Sequence, residues 1–151
     1  MHPSRAGVEW SPGAGLFTLG DLVRHVGAAE RYVWAETVHG RPARYVSHGR
    51  ELADGRDAVL AFLDRMHEEA MPLFRALTPE ALAGRIRAPG GVSVSTRKWL
   101  MAMLEHEAHH RGQIYTMLGQ LGVSTPPLYE MTSEQVRQLA ARDEAGGVFE
   151  Q

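Results

Sequence analysis

The chain contains no cysteine among its 151 residues. Disulfides, thiolate metal ligands and a cysteine nucleophile are therefore excluded, and any sulfur chemistry has to use a substrate's sulfur. No apolar run reaches the roughly 18 residues that a membrane-spanning helix needs. The opening stretch, MHPSRAGVEWSPGAG, has neither the apolar core of a secretion signal nor a lipidation pattern, so a cytoplasmic location is expected. Charge of one sign is not in excess either. Sixteen basic residues against 18 acidic ones give a formal charge of −2, which offers no field for nucleic acid or an anionic membrane. Arg31, Arg41, Arg44, Arg50 and Arg56 are scattered among acids rather than gathered on one face. Internal repeats and low-complexity blocks are missing as well.

What is present is an ordinary globular composition, 44% apolar and 23% charged, in a length that favours one domain with a real core. Residues 1–17, rich in Gly, Pro and Ser, read as an irregular lead-in. Residues 18–144 read as a single helical domain and residues 145–151 as a tail. Thr18 or Asp21 caps a helix to about Val38, with the apolar stripe Leu19, Leu22, Val26, Ala29 and Val33. Residues 39–53 read as a loop. A second helix, from about Asp54 to Leu77, carries Val59, Leu63, Met66, Ala70, Leu73, Phe74 and Leu77 on one stripe. Thr78-Pro79 opens a short helical piece to about Ala83. Residues 84–94 are a connection with a short extended stretch at Val92–Val94. A long helix then starts at Ser95 or Thr96 and stops at Gly122. Thr132 and Gln135 form a capping box for a last helix to about Asp143. The pattern is all-α, a helical bundle.

The segment Glu105-His106-Glu107-Ala108-His109-His110-Arg111-Gly112-Gln113 stands out. His106 and His110 are four apart, so on a helix they share a face about one turn apart. Trp99, Met103, Ile114, Met117 and Leu121 fall on that same face, which puts both imidazoles inside an apolar stripe. Unpaired polar rings there cost several kcal/mol, roughly, and a divalent metal satisfies one nitrogen of each. The other nitrogens then need acceptors of their own. The bland alternative is that carboxylates or water satisfy both rings.

His106-Glu107-Ala108-His109-His110 also reads H-E-x-x-H, with Glu107 as the catalytic base of a metallohydrolase. Nothing else in the chain suggests a peptide-binding cleft. His109 points about 100° from His110, towards solvent or a loop. It and Arg111 are either solvent-side residues or helpers for an anionic substrate. Gly112 allows close approach of another helix or of a partner copy of the chain, and Gln113 lies near the ligand face, within reach of a group behind the ligands. A third ligand comes from another helix: His25 is the best candidate, with His67 the runner-up. His2, His39 and His48 read as surface residues on loops. Asp21, Glu30 and Glu36 are either acceptors behind the ligands or solvated charges.

These residues resemble the DinB/YfiT-like metalloenzyme family. The likeness runs over roughly residues 10–130. It rests on Trp10-Ser11-Pro12, on Phe17 to His25, on Glu30-Arg31-Tyr32-Val33-Trp34 and above all on His106 to Ile114. The resemblance implies a four-helix bundle holding a divalent metal, zinc, nickel or iron, on His25, His106 and His110. It further implies an enzyme acting on a small-molecule substrate through a low-molecular-weight thiol such as mycothiol or bacillithiol, by transfer or isomerisation. Hydrolysis is the other catalytic option. A non-catalytic, stress-associated bundle is the competing expectation, with a metal that is purely structural or with none. In that case His67 is the natural fourth ligand. Family members usually carry a full helix before the Trp-x-Pro stretch, and this sequence begins almost at that stretch. Either the helix at Ser133–Asp143 or a second copy of the chain is expected to cover the gap, and a homodimer follows.

Overall fold

In the computed structural model the described residues are 7–127 and 130–146. The outer parts of the lead-in and of the tail, and His2, lie outside them. The first helix, α1 (Leu19–Ala29), starts at a capping box in which Thr18 accepts from the Asp21 N–H and Asp21 accepts from the Thr18 N–H. The lead-in folds back over this end. Trp10 and Val8 carbonyls accept from the Leu19 and Gly20 N–H groups, two donors that a helix start leaves without partners.

The helix does not continue as a plain α-helix. Glu30–Trp34 form a π turn before α2 (Ala35–Thr37). A π turn adds one residue and rotates everything after it by about 100°. The expected stripe through Val33 is therefore displaced by one. Trp34, Ala35 and Val38 are buried, while Val33 is half-buried.

The second long helix, α3 (Arg56–Arg75), buries Val59, Phe62, Met66 and Ala70, spaced at three and four as the sequence pattern requires. It crosses α1 at Gly27. A Cβ placed there would lie 3.4 Å from the Leu63 Cα and 3.2 Å from its Cδ1, so a larger residue would make the Leu63 side chain give way at this close crossing. The loop before α3 packs back on the pair, with Val46, Leu52 and Ala53 against Ala28, Phe62 and Met66. His39 is not a free surface residue. Its Nε2 lies 2.8 Å from the Leu73 carbonyl and pins the end of α2 to α3.

After α4 (Pro79–Ala83) comes a departure from the all-α expectation. β1 (Arg85–Arg87) pairs antiparallel with β2 (Ser93–Ser95), Ile86 opposite Val94. The connection turns through Gly90 and Gly91, both at φ near +80°. The extended stretch expected at Val92–Val94 overlaps β2, while its three-residue partner β1 carries too little alternation to be read from sequence. The hairpin delivers the chain to α5 (Thr96–Gln120), whose N-cap Ser95 accepts from the Lys98 N–H. The last helix, α6 (Ser133–Gly146), stands apart, and its residues from Ser133 to Arg142 are exposed. It does not fill the gap proposed for it within one chain. Among the described residues no helix is long and apolar enough to cross a membrane.

Candidate metal centre

Helices α1 and α5 each bring imidazole to one point. His25 comes from the middle of α1, and His106 and His110 from consecutive turns of α5. One ring nitrogen of each of these three half-buried residues lies within 4.8 Å of the others. The Nε2 atoms of His25 and His106 are 3.1 Å apart. Two nitrogens bound to one ion at about 2.0–2.1 Å stand roughly 2.8–3.4 Å apart between octahedral and tetrahedral angles, so this spacing fits shared coordination. Among the described residues this is the one group of three or more metal-ligating side chains so placed.

The rings are held from behind. His110 Nδ1 lies 2.7 Å from Gln113 Oε1, an oxygen that only accepts, so Nδ1 carries the proton and Nε2 is left free as a ligand. Gln113 is thus the acceptor that the sequence placed near the ligand face. His106 packs its ring 5.7 Å from Trp34, which itself stacks on Trp99 at 4.3 Å. His106 Nδ1 is buried without a hydrogen-bond partner among the described residues.

Burial pushes the His106 imidazolium form down to a pKa of about 4, with the neighbouring His110, His25 and His109 acting in the same direction. His25 is lowered as well, first by burial and then by His110 and His48. Both rings are therefore neutral near pH 7, the state that can ligate a metal. A consequence concerns stability. In the unfolded chain a histidine takes up its proton near pH 6.5, whereas His106 in the fold resists until about 4. Between these values the unfolded state binds more protons, so acidification favours it. The metal-free protein is expected to lose thermal stability as pH falls from about 6.5 towards 4. A melting series over that range checks this, and His106→Gln should flatten the slope.

The other candidate residues divide clearly. His67 is not part of the cluster. Its ring is largely exposed and its Nδ1 lies 2.9 Å from Glu30 Oε1. Asp21 pairs with Arg24, and Glu36 with Arg31 and Arg41; neither these acids nor Glu30 is hydrogen-bonded to a cluster ring. Glu107 is half-buried, and burial followed by Glu30 raises its carboxyl pKa, while His67 and Arg111 oppose the rise. Gly112 has open space where a Cβ would point, so no helix of the same chain approaches it.

His48, read from sequence as a surface residue, is half-buried instead. Its ring packs 4.4 Å from Phe17, whose own ring is 6.1 Å from His25, and its Nδ1 bonds the Tyr45 hydroxyl. No helical spacing marks a residue on a loop, so the sequence gives no signal for it.

Beside His110 opens a cleft of about 830 Å³, bounded by Leu16, Phe17, Leu22 and Met117 on its apolar side.

Comparison with known proteins gives a consistent picture. A family profile described as the DinB superfamily matches residues 4–114. A crystal structure of a DinB-like protein from Bacillus subtilis is 18% identical, with a TM-score of 0.64 over 87% of each chain. A DinB-like protein from Bacillus cereus is 20% identical, with a TM-score of 0.61 over 85% of this chain and 83% of that one. These two likenesses concern the fold. Among curated proteins none matches the sequence.

Proposed function

This chain belongs to the DinB superfamily, and on that footing we propose that it is a metal-dependent enzyme that joins a small thiol to an electrophilic small molecule. The observation that carries the reading is the convergence of His25, His106 and His110 from two helices onto one point. His25, His106 and His110, with neutral rings, would hold a divalent ion, and such an ion would supply the Lewis acidity that lowers the pKa of a thiol or of water. Zinc, nickel and iron all accept this donor set.

The chain's own groups do the rest. Burial holds His25 and His106 in their neutral form, and Gln113 fixes the tautomer of His110. Phe17 and Trp34 wall the rings on two sides. The cleft beside His110 receives the electrophile. In the transfer step the thiol gives its proton to water, its sulfur bonds the electrophilic atom, and the displaced group leaves with its electron pair. A thiol is drawn from solution, since the chain has none of its own.

Two further readings are separable by experiment. Hydrolysis is favoured by the raised carboxyl of Glu107, a group suited to general acid–base work. The inert-scaffold reading wants a fourth protein ligand, and the engagement of His67 with Glu30 speaks for an open position instead. The test is metal analysis of protein purified without added metal, followed by a panel of thiols with one electrophilic acceptor. Thiol-dependent turnover that survives Glu107→Gln within a few fold supports transfer. Thiol-independent turnover that Glu107→Gln lowers about 10²-fold or more supports hydrolysis. Stoichiometric metal with no turnover supports the scaffold.

We also propose that the working unit is a homodimer in which α6 packs across the partner and completes a four-helix bundle. Met101 and Leu104 are more than half exposed on α5, and Val136 and Leu139 of α6 nearly half. Light scattering at micromolar concentration is expected to give twice the 16.7 kDa chain mass, and Leu104→Glu a single one. A monomeric wild type overturns the proposal.

A further inference from the structure

The cleft beside the metal centre has a chemical character of its own. It shares His110 with the centre, and its wall residue Phe17 packs towards His25. At about 830 Å³ it falls within the size range of sites that enclose a drug-sized molecule. None of its described lining residues is Arg, Lys, Asp or Glu. Polar groups there are the amides of Gln113 and Gln120, the hydroxyl of Thr116 and the two histidines, His109 and His110. Arg111 belongs to a different groove, shared with Tyr115 on the other side of α5.

We infer that this cleft selects an electrophile whose remote part is uncharged and largely apolar, with a neutral hydrogen-bonding group for the amide edge. The inference rests on the proposed reading for the identity of the reacting end, but not for the recognition itself. Away from the metal end, a carboxylate or phosphate seated against these walls would give up hydration without meeting a cationic side chain among the described lining residues, a loss of several kcal/mol, roughly. An amide or ester loses far less and can meet Gln113, Gln120 or Thr116. Leu16 and Phe17, 60% and 38% exposed, form an apolar rim that offers surface for the ligand's body to cover. The sequence offered His109 and Arg111 either as helpers for an anionic substrate or as solvent-side residues. His109 does line the cleft, but Arg111 does not.

The test is a matched pair of probes, 4-phenylbutanamide and 4-phenylbutanoate, titrated calorimetrically into metal-free wild-type protein at pH 7.5. The amide is expected to bind at least about tenfold more tightly than the carboxylate. Gln120 is exposed at the cleft edge, so Gln120→Lys should leave the fold intact and narrow that ratio by bringing in a cation. Leu16→Ala should weaken both probes together. Equal or tighter binding of the carboxylate to wild type overturns the inference. So does binding that neither variant alters, which would place the probes elsewhere, or no binding of either probe at millimolar concentration. Because the measurement needs neither metal nor turnover, loss of the thiol-transfer reading leaves it standing. Conversely, robust thiol transfer to anionic electrophiles would overturn the inference alone.

Discussion

Replacing His110 with alanine is expected to strip the protein of its divalent metal and to abolish thiol transfer. Losing only an outer partner of a metal ligand typically lowers affinity by about 10–100-fold. Removing the ligand itself should exceed that, because two imidazoles from separate helices hold an ion far less well than three. His25→Ala is expected to behave alike, since its Nε2 stands 3.1 Å from that of His106 and closes the group from the α1 side. Gln113→Leu should fall between these variants and wild type. It leaves every ligand in place but takes away the acceptor that fixes the His110 ring. His109→Ala, an exposed neighbour outside the cluster, should retain full metal. Elemental analysis reads the content directly. A second readout is the melting temperature: a ligand at 100 times its Kd stabilises the fold by about 2.7 kcal/mol, roughly 5–10 °C for a chain of this length. His110→Ala should show no such rise on metal addition. Stoichiometric metal in both His25→Ala and His110→Ala would remove the foundation of the functional reading.

The largest stability loss is expected at the residue just before His25. The Arg24 side chain is fully buried and ties three segments together. It pairs with Glu9 of the lead-in and with Asp21 of its own helix, and its Nε donates to the Ala53 carbonyl at 2.8 Å. Arg24→Ala leaves two carboxylates facing a cavity and one carbonyl without its donor. Breaking a buried ion pair costs about 3–5 kcal/mol when the remaining partner stays dry. Glu9 and Asp21 keep some contact with solvent, so a loss of about 2–3 kcal/mol is expected, or roughly 4–12 °C in melting temperature. Urea unfolding monitored by tryptophan fluorescence checks it. Glu9→Gln should cost less, because the guanidinium keeps Asp21 and the Ala53 carbonyl. A loss below about 0.5 kcal/mol in Arg24→Ala would mean that the clamp does not anchor the lead-in.

Much of this arrangement was legible in the sequence wherever a helix made it periodic. The stripe of α3 and the shared face of His106 and His110 follow from spacing alone. The cap at Thr18 and the start at Ser95 follow from the chemistry of helix ends. His25 was legible less directly, as one of two candidates until the resemblance chose between them. The failures share a physical cause. The π turn at Glu30–Trp34 shifts the register by one residue, and no residue type announces such an insertion. The extended stretch at Val92–Val94 foreshadowed β2, but its partner β1, three residues long, is too short to show alternation. His39 and His48 sit on irregular backbone, where spacing carries no directional information, and so their contacts with Leu73 and Phe17 could not be anticipated. α6 reads correctly as a helix from its capping box, yet its sequence could not say that its own chain would leave it bare.

Helix α5 buries only Thr96 near its start and Met117 near its end. Between these two anchor points the span is a beam resting on its supports, and the imidazole pair sits near mid-span. A cation gripping that pair together with His25 would act as a rivet between α5 and α1. Loading would then stiffen the middle of the beam, and the same ion that serves the chemistry would set how far α5 can bow away from α1.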